Sequence, residues 1–390
     1  MISVAEAKNI VTGKVMKLSS DTVRIDTAVG YVLAKALYSP VTVPAFRQSS
    51  MDGYAVRDAD WSQNLIIQDE LPAGSSKQLQ LLPNHTIRVF TGGMVPDEAD
   101  TVIPKELVTV SGNTISVNIK QMETGANIRN RGSEINAADL AFPAGITITP
   151  MHIGYLASLG ITTVPVIKKP SIAIIITGNE LVQPGKPLET GQVYESNSFA
   201  LTACLRALHI DQVDVFYAKD NQVETEEKIQ EALTDHDLIL LTGGVSVGDY
   251  DFVAAACGKM GVKQAFHGVK QKPGKPLFFG TMGNKLVFGL PGNPASVLSC
   301  FYQYVRSAIH LMAGMPQPLA EQSILAESFE KKPLLTFFLK GILENGKVTI
   351  AGAQASYQQS AFTEANCWIE LPEEKSFFEK GDAVTVYRFL

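Results

Sequence analysis

The chain has 390 residues, of which 45% are hydrophobic and 18% charged, and this is the composition of a globular protein rather than a disordered one. At about 150 residues per domain, the length predicts two to three domains. A net charge of −6 argues against a generic nucleic-acid binder, because such proteins need a basic surface. The four cysteines are far apart in the sequence, which argues against a disulfide framework and against a structural zinc site.

The sequence carries no evident targeting or membrane segment. The first residues, MISVAEAKNI, lack the basic flank and apolar core of a signal peptide. The stretch from Leu140 to Ile167 has no formal charge, but its prolines and glycines interrupt any helix long enough to cross a bilayer. We therefore expect a cytoplasmic protein.

The N-terminal part predicts helices around a β-rich insertion. Two helices are expected near Ser3–Val11 and Asp26–Ala36, the first with a capping box in which Ser3 and Glu6 are paired. Short apolar runs separated by turn residues then predict strands, and a helix at Met151–Leu159 follows the insertion. The expected strands include Thr86–Phe90 and Thr114–Ile119.

The second half alternates strands and helices. Ser171–Thr177 is a nearly continuous β-branched run, which predicts a strand covered on both faces. The following expected elements are the helix Ser198–Leu208, the strand Val213–Tyr217, the helix Val223–Leu233, the strands Asp237–Leu241 and Lys285–Leu290, and the helix Pro294–Met312. This alternation predicts a doubly wound, mostly parallel sheet, and a β-rich C-terminal domain follows it.

Three predicted strands run into glycine-rich loops at the sheet edge where α/β proteins bind ligands. The loops are Gly178–Asn179–Glu180, the segment TGGVSVGDYD at 242–251 and the segment PGNPAS at 291–296. They leave backbone N–H groups free to face an anion, and Asn293 with Pro294 predicts a helix start at the same edge. Each loop alone could be a tight αβ turn, and neither a P-loop nor a dinucleotide fingerprint is present.

Charged side chains lie beside these loops. Lys270, Lys272 and Lys275 occupy a segment stiffened by prolines, which predicts a clamp for phosphate or another oxyanion, with a solvated turn as the alternative. Carboxylates also follow the predicted strands, at Glu180, Asp220, Asp249 and Asp251. Each alone is more commonly structural or solvent-facing, but together they predict Mg²⁺ and a metal-assisted phosphoryl or nucleotidyl reaction.

Six motifs in this order identify a resemblance to a family. SSMDGYAV, FTGG, TGNEL, TGGVSVGDYD, KPGKP and LPGNPAS resemble the motifs of molybdopterin molybdenumtransferases of the MoeA type, and are similar to those of the C-terminal domain of gephyrin. The resemblance covers essentially the whole chain. It implies molybdenum cofactor biosynthesis, in which Mg²⁺-dependent insertion of molybdenum from molybdate into adenylylated molybdopterin is coupled to hydrolysis of the adenylate and release of AMP.

The resemblance also implies an architecture and partners. We expect an elongated homodimer of an α/β multidomain chain, with a doubly wound mostly parallel sheet domain, a β-rich insertion domain, a small helical N-terminal domain and a C-terminal β-domain. The expected boundaries are 1–39 with 146–169, 40–145, 170–315 and 319–390. Molybdate and adenylylated molybdopterin are the implied substrates. Transient contacts with the molybdopterin adenylyltransferase and apo-molybdoenzymes are implied as well, with no nucleic acid and no membrane.

Carried over by motif, the resemblance assigns roles to particular residues. Catalytic roles are implied for Asp52, Thr91, Glu134, Glu180, Asp220 and Asp251, and Mg²⁺ binding for Glu180, Asp220 and Asp251. Binding of the pterin, phosphates and molybdate is implied for Gly243, Gly244, Ser246, Gly248, Asp249, Lys272, Lys275, Pro276, Pro291, Gly292, Asn293, Pro294 and Ser296. Asp52 and Thr91 are expected to reach the site across the dimer interface, and Glu134 stands where the family commonly has Asp.

The C-terminal domain departs from the family. Where a pattern like GRxxFxRG is usual, this chain reads LLTFFLKG from Leu334 to Gly341. Lys340 keeps one positive charge, but the first arginine is absent, and a lysine cannot make the planar two-point contact of an arginine. Either the C-terminal domain contributes less in this chain, or the substrate is handled differently. For the function as a whole, two alternatives stay open: a family member specialised for tungstate, and a non-catalytic scaffold on the same fold.

Overall fold

A computed structural model describes residues 1–219, 221–244, 252–332 and 334–389, without the side chain of Phe252. In chain order the helices are α1 (Val4–Lys14), α2 (Pro150–Ser158), α3 (Asn197–Ala207), α4 (Gln222–Asp235), α5 (Phe252–Lys259), α6 (Pro294–Cys300) and α7 (Arg306–Met312). A π-helical segment, Phe301–Val305, fills the interval between α6 and α7. None of these helices, within the described ranges, is both long enough and apolar enough to cross a membrane.

A mostly parallel sheet of six strands lies at the centre of the molecule, as predicted. Its strands, in spatial order, are Val213–Ala218, Ile172–Thr177, Leu238–Thr242, Lys285–Leu290, Phe278–Met282 and Lys263–His267. The first four are parallel to one another. Phe278–Met282 is antiparallel to both of its neighbours, Lys285–Leu290 and Lys263–His267. Neither Phe278–Met282 nor Lys263–His267 was predicted from the sequence.

Both faces of this sheet are covered, which explains the continuous apolar run of its second strand. Ile172, Ile174 and Ile176 face one core, with α3 and the helical segment that begins with α6. Ala173 and Ile175 face a second core, formed with α4 and α5. A strand buried on both faces needs apolar side chains at every position rather than at alternate ones.

The insertion contains a second sheet of six strands, with two separate cores. Its strands, in spatial order, are Thr101–Pro104, Gly53–Val56, His85–Val89, Leu65–Leu71, Thr114–Val117 and Val108–Ser111. The predicted strands near residues 86–90 and 114–119 are therefore confirmed. The insertion also pairs Gln48–Ser49 with Ile128–Arg129.

The C-terminal region is β-rich, as predicted, and forms a barrel-like sheet, which was not predicted. The strand order is Gln271–Lys272, Thr336–Glu344, Lys347–Ile350, Glu321–Leu325, Ala383–Arg388 and Cys367–Leu371. Thr336–Glu344 also pairs with Cys367–Leu371, which closes the sheet on itself. A separate pair joins Phe329–Glu330 to Phe377–Phe378, and another joins Leu181–Val182 to Val193–Tyr194 near the central sheet.

The structure corrects one prediction in the segments expected to form the N-terminal domain, residues 1–39 and 146–169, which we call the N-terminal unit. The helix expected at Asp26–Ala36 is wrong: only a 3-10 turn, Ile25–Thr27, forms there. The chain after it is extended, and Leu33 N–H donates to Ile146 O at 2.9 Å. Gly30 has φ +78°, and a Cβ there would lie 2.5 Å from the His209 ring. Pairing with a segment more than 100 residues away therefore outweighs local helix propensity.

Two antiparallel strand pairs connect the segments of the N-terminal unit. Ser20–Arg24 pairs with Thr163–Ile167, and Leu37–Tyr38 with Leu140–Phe142. The predicted capping box of α1 is confirmed, but α1 packs its buried face into the core of the central sheet. The four domain boundaries stay predictions.

Candidate functional site

Two adjoining cavities lie where the parallel strands of the central sheet end. The sheet-side cavity, of about 620 Å³, is lined by Thr177, Glu180, Gly243, Gly244 and Gly292 among others. The barrel-side cavity, of about 570 Å³, lies between the lysine-rich segment 271–276 and the C-terminal barrel. Both are lined by Pro276, Pro291 and Asn293, so we treat them as one cleft. Its position is the one that open α/β sheets use for ligands.

Glycine backbone forms the floor of the sheet-side cavity. Gly243 and Gly244 have φ values of +88° and +65°, in the left-handed region that favours glycine. A Cβ on Gly243 would lie 2.5 Å from the carbonyl oxygen of Thr177, and one on Gly292 would lie 3.7 Å from Gly243 Cα. A side chain is therefore excluded at Gly243, whereas one at Gly292 would make ordinary van der Waals contact; the two glycines leave the backbone of both loops open to the cavity.

The loop that carries Lys272 and Lys275, which we call the lysine loop, is stabilised by buried hydrogen bonds of Gln271. Gln271 is fully buried, and its Nε2 donates to Gly274 O at 3.0 Å. The Gln271 Oε1 atom accepts a hydrogen bond from the hydroxyl of Tyr304, in the π-helical segment. Such segments are frequent at functional sites, because the extra residue redirects side chains. Here it places the Tyr304 phenol under the lysine loop.

The two lysines themselves are exposed at the cleft. The Lys272 ammonium lies 5.2 Å from the centre of the Phe337 ring, which belongs to the barrel wall of the cavity. Apolar barrel residues, including Leu335 and Leu339, line the same side. The barrel-side cavity thus combines lysine cations on one wall with apolar side chains on the other.

The start of α6 forms the remaining wall. Asn293 occupies the N-cap position and Pro294 the first turn, as predicted, but the Asn293 side chain does not cap the helix. Its Nδ2 instead donates to the Ser356 hydroxyl at 3.1 Å, and Ala295 N–H donates to Ser356 O at 3.0 Å. A loop of the C-terminal barrel is therefore joined directly to the strand-end loops.

Comparison with known proteins agrees with this architecture. Residues 2–160 match the MoeA N-terminal region (domains I and II), residues 173–311 a probable molybdopterin binding domain, and residues 322–389 the MoeA C-terminal region (domain IV). The chain is 34% identical over 380 residues to the molybdopterin molybdenumtransferase of Haemophilus influenzae, with 95% of this chain and 94% of the relative covered. The chain belongs to the MoeA family.

Further relatives support the same family. Molybdopterin molybdenumtransferase 2 of Mycobacterium tuberculosis is 33% identical over 404 residues, with 99% of each chain covered. The crystal structure of a MoeA molybdopterin biosynthesis protein from Pyrococcus horikoshii superposes with a TM-score of 0.83 at 27% identity, covering 100% of this chain and 99% of the other.

Most of the binding residues predicted for this MoeA-family chain line the cleft. The barrel-side cavity takes Lys272, Lys275, Pro276, Pro291, Asn293 and Ser296, and the sheet-side cavity takes Glu180, Gly243, Gly244, Gly292 and Pro294. Asp220, Ser246, Gly248, Asp249 and Asp251 lie outside the described residues. Across the described ranges, no group of three or more His, Cys, Asp or Glu side chains is arranged to hold a metal ion.

Of the three residues predicted from the insertion, Asp52 and Thr91 lie together. Asp52 Oδ1 accepts from both the amide and the hydroxyl of Thr91 at 2.9 Å, and Lys105 Nζ lies 3.7 Å from Asp52 Oδ2. These contacts, those from Thr91 first, lower the pKa of the Asp52 carboxyl. Glu134 is exposed, with its amide donating to Val43 O at 3.0 Å. Within this chain, none of Asp52, Thr91 and Glu134 is among the described residues that line the cleft.

Several lining residues were missed by sequence reasoning. Asn197 donates to Gly292 O at 2.9 Å, and the buried Glu195 accepts from Ser198 N–H at 2.8 Å. The barrel contributes the segment AQASYQQ at 353–359, which lines both cavities. Its small and amide side chains, which show no apolar periodicity, are the sequence feature that could have indicated a loop at the site.

Proposed function

We propose that this protein inserts molybdenum from molybdate into adenylylated molybdopterin, hydrolyses the adenylate and releases AMP. The observation that carries the proposal is the convergence of the lysine loop with the glycine loops of the strand ends on one cleft, in a chain of the MoeA family. A cleft with cations on one wall and exposed backbone on another suits a ligand that carries phosphates and a flat ring.

The described side chains suggest a division of labour. Lys272 and Lys275 would neutralise the substrate phosphates and the molybdate dianion, and Ser296 would add a hydroxyl donor. Fixed cations of this kind stabilise the charge that develops when a phosphate bond breaks. Gly243 and Gly292 would let the pterin approach the backbone, since neither has a side chain to exclude it.

A magnesium ion fits the donor chemistry of the sheet-side cavity. Mg²⁺ is commonly held by one or two carboxylates together with substrate phosphates, and Glu180 presents a carboxylate there. We propose Glu180 as one ligand, with Asp220 and Asp251 as the others. The ion would neutralise phosphate oxygens and so favour hydrolysis.

Three of the four cysteines would not compete with the substrate for molybdenum. Cys300 and Cys367 are buried, and burial raises the pKa of each thiol to about 12. Cys204 is partly buried, and its pKa is raised to about 11. A thiol binds metal as the thiolate, so these groups stay protonated and inert at neutral pH. The soft ligands that molybdenum needs would come from the dithiolene of the substrate.

The test is a reconstitution with adenylylated molybdopterin, Mg²⁺ and molybdate, in which AMP release and bound molybdenum are measured. We expect both to depend on molybdate and to stop when Mg²⁺ is chelated. Lys275→Met should lower the rate about 100-fold, because a charge in contact with the reacting oxyanion is lost. Lys120→Met, at an exposed lysine of the insertion, is the matched control and should leave the rate unchanged.

Two outcomes would contradict the proposal or narrow it. No oxyanion-dependent AMP release would contradict the enzymatic function and favour a scaffold. AMP release with tungstate but not with molybdate would identify a tungstate enzyme.

We also propose that the active unit is a homodimer in which Asp52 and Thr91 of one protomer complete the cleft of the other. The support is that Asp52 and Thr91 are hydrogen-bonded to each other and are not among the described residues that line the cleft of their own chain. Asp52→Asn and Lys275→Met should each have strongly reduced activity alone. When the two are mixed under conditions of subunit exchange, activity should rise above that of either variant, since one heterodimer site carries neither change. Exchange without any recovery would contradict a shared site.

A further inference from the structure

Lys340 carries the one positive charge that the C-terminal domain keeps in the motif LLTFFLKG, and that charge is buried. Its side chain is 1% exposed, in the strand Thr336–Glu344. The Nζ atom donates to three backbone oxygens: Ala353 O, Gln358 O at 2.8 Å and Ala355 O at 3.4 Å. An ammonium group has three N–H donors, so its hydrogen-bonding capacity is filled by these carbonyls.

These three carbonyls belong to one loop, residues 353–359, which we call the barrel loop. The barrel loop also binds the backbone of Lys340 through the Gln354 side chain. Lys340 N–H donates to Gln354 Oε1 at 3.0 Å, and Gln354 Nε2 donates to Lys340 O at 2.8 Å. The ring of Phe362 lies 5.3 Å from the ammonium and covers it further. Since a buried charge is costly without compensating contacts, this conformation of the barrel loop and the charge on Lys340 depend on each other.

The far side of the barrel loop forms the wall of the cleft. Gln354, Ala355 and Ser356 line the barrel-side cavity, and Tyr357 and Gln359 line the sheet-side cavity. Ser356 holds Asn293 and Ala295 at the start of α6. Gln359 Nε2 donates to Ser196 Oγ, just before α3, at 3.2 Å. The barrel loop therefore joins the C-terminal barrel to both strand-end walls.

We propose that Lys340 is a positioning residue: its ammonium fixes the barrel loop, the barrel loop fixes the start of α6 and the shared wall of the cleft, and Lys340 does not itself contact the anionic substrate. The proposal rests on the proposed function for the identity of the ligand only. Lys272 and Lys275 then supply the lysine charge that the ligand meets in the described part of the barrel-side cavity.

The test separates positioning from direct contact by measuring molybdate binding in the full-length protein. Lys340→Met should raise the Kd for molybdate about tenfold and increase amide hydrogen exchange across residues 353–359 and at Ala295. The dependence of log Kd on ionic strength should stay as in the wild type. Lys275→Met should weaken that dependence, because a cation that contacts the anion has been removed. A Lys340→Met protein with an equally weakened dependence would overturn the proposal.

A double-mutant cycle tests the route through the barrel loop. Ser356→Ala removes the hydroxyl that accepts from Asn293, and it should raise the Kd about threefold alone but add nothing to Lys340→Met. Additive effects would mean that Lys340 acts independently of the barrel loop. Val348→Ala is the matched control for lost stability: Val348 is fully buried in the barrel core and is not among the residues lining the cleft, so its Kd should not change.

Two further measurements test the proposal if Lys340→Met does not fold or if the protein does not bind molybdate. If Lys340→Met does not fold, Lys340→Gln retains two donors and should give intermediate exchange and an intermediate Kd; wild-type exchange in that variant would overturn the proposal. If the wild-type protein binds no molybdate, the oxyanion part of the proposed function fails. The exchange of residues 353–359 and Ala295 then decides the role of Lys340, and unchanged protection contradicts it.

Discussion

Gly243 shows how one residue without a side chain determines the shape of the sheet-side cavity. Its φ of +88° is unfavourable for other residues, and a Cβ would also lie 2.5 Å from Thr177 O and 2.7 Å from Thr177 Oγ1. A side chain at Gly243 would therefore destabilise the fold in two ways: through the unfavourable backbone angle and through the steric contact with Thr177. The two costs can be separated experimentally because other glycines of the chain carry the first alone.

Gly243→Ala should therefore be more damaging than an alanine at an open left-handed glycine. We expect a loss of about 2–4 kcal/mol in the free energy of unfolding and a large fall in AMP release, because the loop must move away from Thr177. Gly112→Ala is the control: Gly112 has φ +59° but nothing within 4 Å of the added Cβ. Equal losses from the two variants in urea titrations would show that the contact with Thr177 contributes nothing.

Tyr304 supports the lysine loop through a single buried hydrogen bond to Gln271. Tyr304→Phe keeps the ring and leaves the Gln271 oxygen without that donor. We expect a loss of about 1–2 kcal/mol in the free energy of unfolding, together with a several-fold rise in the KM for molybdate and a smaller change in kcat. Tyr38→Phe, at an exposed tyrosine, is the control and should change neither. An unchanged KM would mean that the lysine loop keeps its position without this bond.

The sequence predicted which residue types would meet at the strand ends, but not the contacts that hold them. Glycines and lysines are visible as motifs because their chemistry is local. The sequence showed only that Lys340 keeps one positive charge of the family's pattern, and the structure buries that charge under three carbonyls of residues 353–358. That outcome depends on how an irregular loop folds back on a strand, and no periodic pattern encodes it.

At the scale of elements, the predictable parts are those whose burial is uniform or periodic. Ile172–Thr177 is buried at every position and was predicted because its sequence is apolar throughout. The segment Asp26–Ala36 was predicted incorrectly because its hydrogen-bond partners, around Ile146 and Ile148, lie far away in the sequence. The edge strand Lys263–His267 was missed because polar positions dilute its apolar signal. Phe278–Met282 is a short apolar run of five residues, and such a run does not by itself distinguish a strand from a helix.

The first helix offers a prediction at this scale. Ser3 Oγ accepts from Glu6 N–H at 3.2 Å, and Glu6 Oε2 accepts from Ser3 N–H at 2.8 Å. Ser3→Ala should lower the free energy of unfolding by about 1 kcal/mol, because the cap is lost while α1 is packed in the main core. Thr12→Ala, near the end of the same helix, controls for the loss of a hydroxyl and should cost less. Denaturant titration measures both, and equal effects would argue against the cap.

At the scale of the whole molecule, α1, the central sheet and the barrel share one apolar core, to which Phe338 and Trp368 of the barrel contribute, and polar contacts add to it. Lys8 of α1 lies 3.1 Å from Glu370 of the barrel and 2.9 Å from the hydroxyl of Tyr387. The barrel loop joins the barrel to the strand-end loops, and Lys169 joins the N-terminal unit to the central sheet domain. Among these contacts, those of the barrel loop join the barrel wall of the cleft to its strand-end walls.

Lys169 makes one of these junctions sensitive to pH. Its ammonium lies 3.8 Å from the centre of the Tyr31 ring and donates to His209 O at 2.7 Å. Burial lowers the pKa of Lys169 to about 8, against about 10.4 for the unfolded chain. Below pH 8 both states are protonated, and the folded state bears the cost of the buried charge. Between pH 8 and about 10.4 the unfolded state binds more protons, so the stability contributed by Lys169 rises with pH.

We therefore expect the free energy of unfolding of the wild type, relative to Lys169→Met, to increase by about 1 kcal/mol between pH 7.5 and 10, a value reduced for solvent screening of this partly exposed group. Taking the difference between the two proteins cancels the titration of groups that they share. Lys168→Met, at the exposed neighbouring lysine, is the matched control for the loss of a lysine from this segment. A flat or falling difference for Lys169→Met in urea titrations would show that the Lys169 ammonium is not desolvated at this junction, because the folded and unfolded states would then bind protons alike.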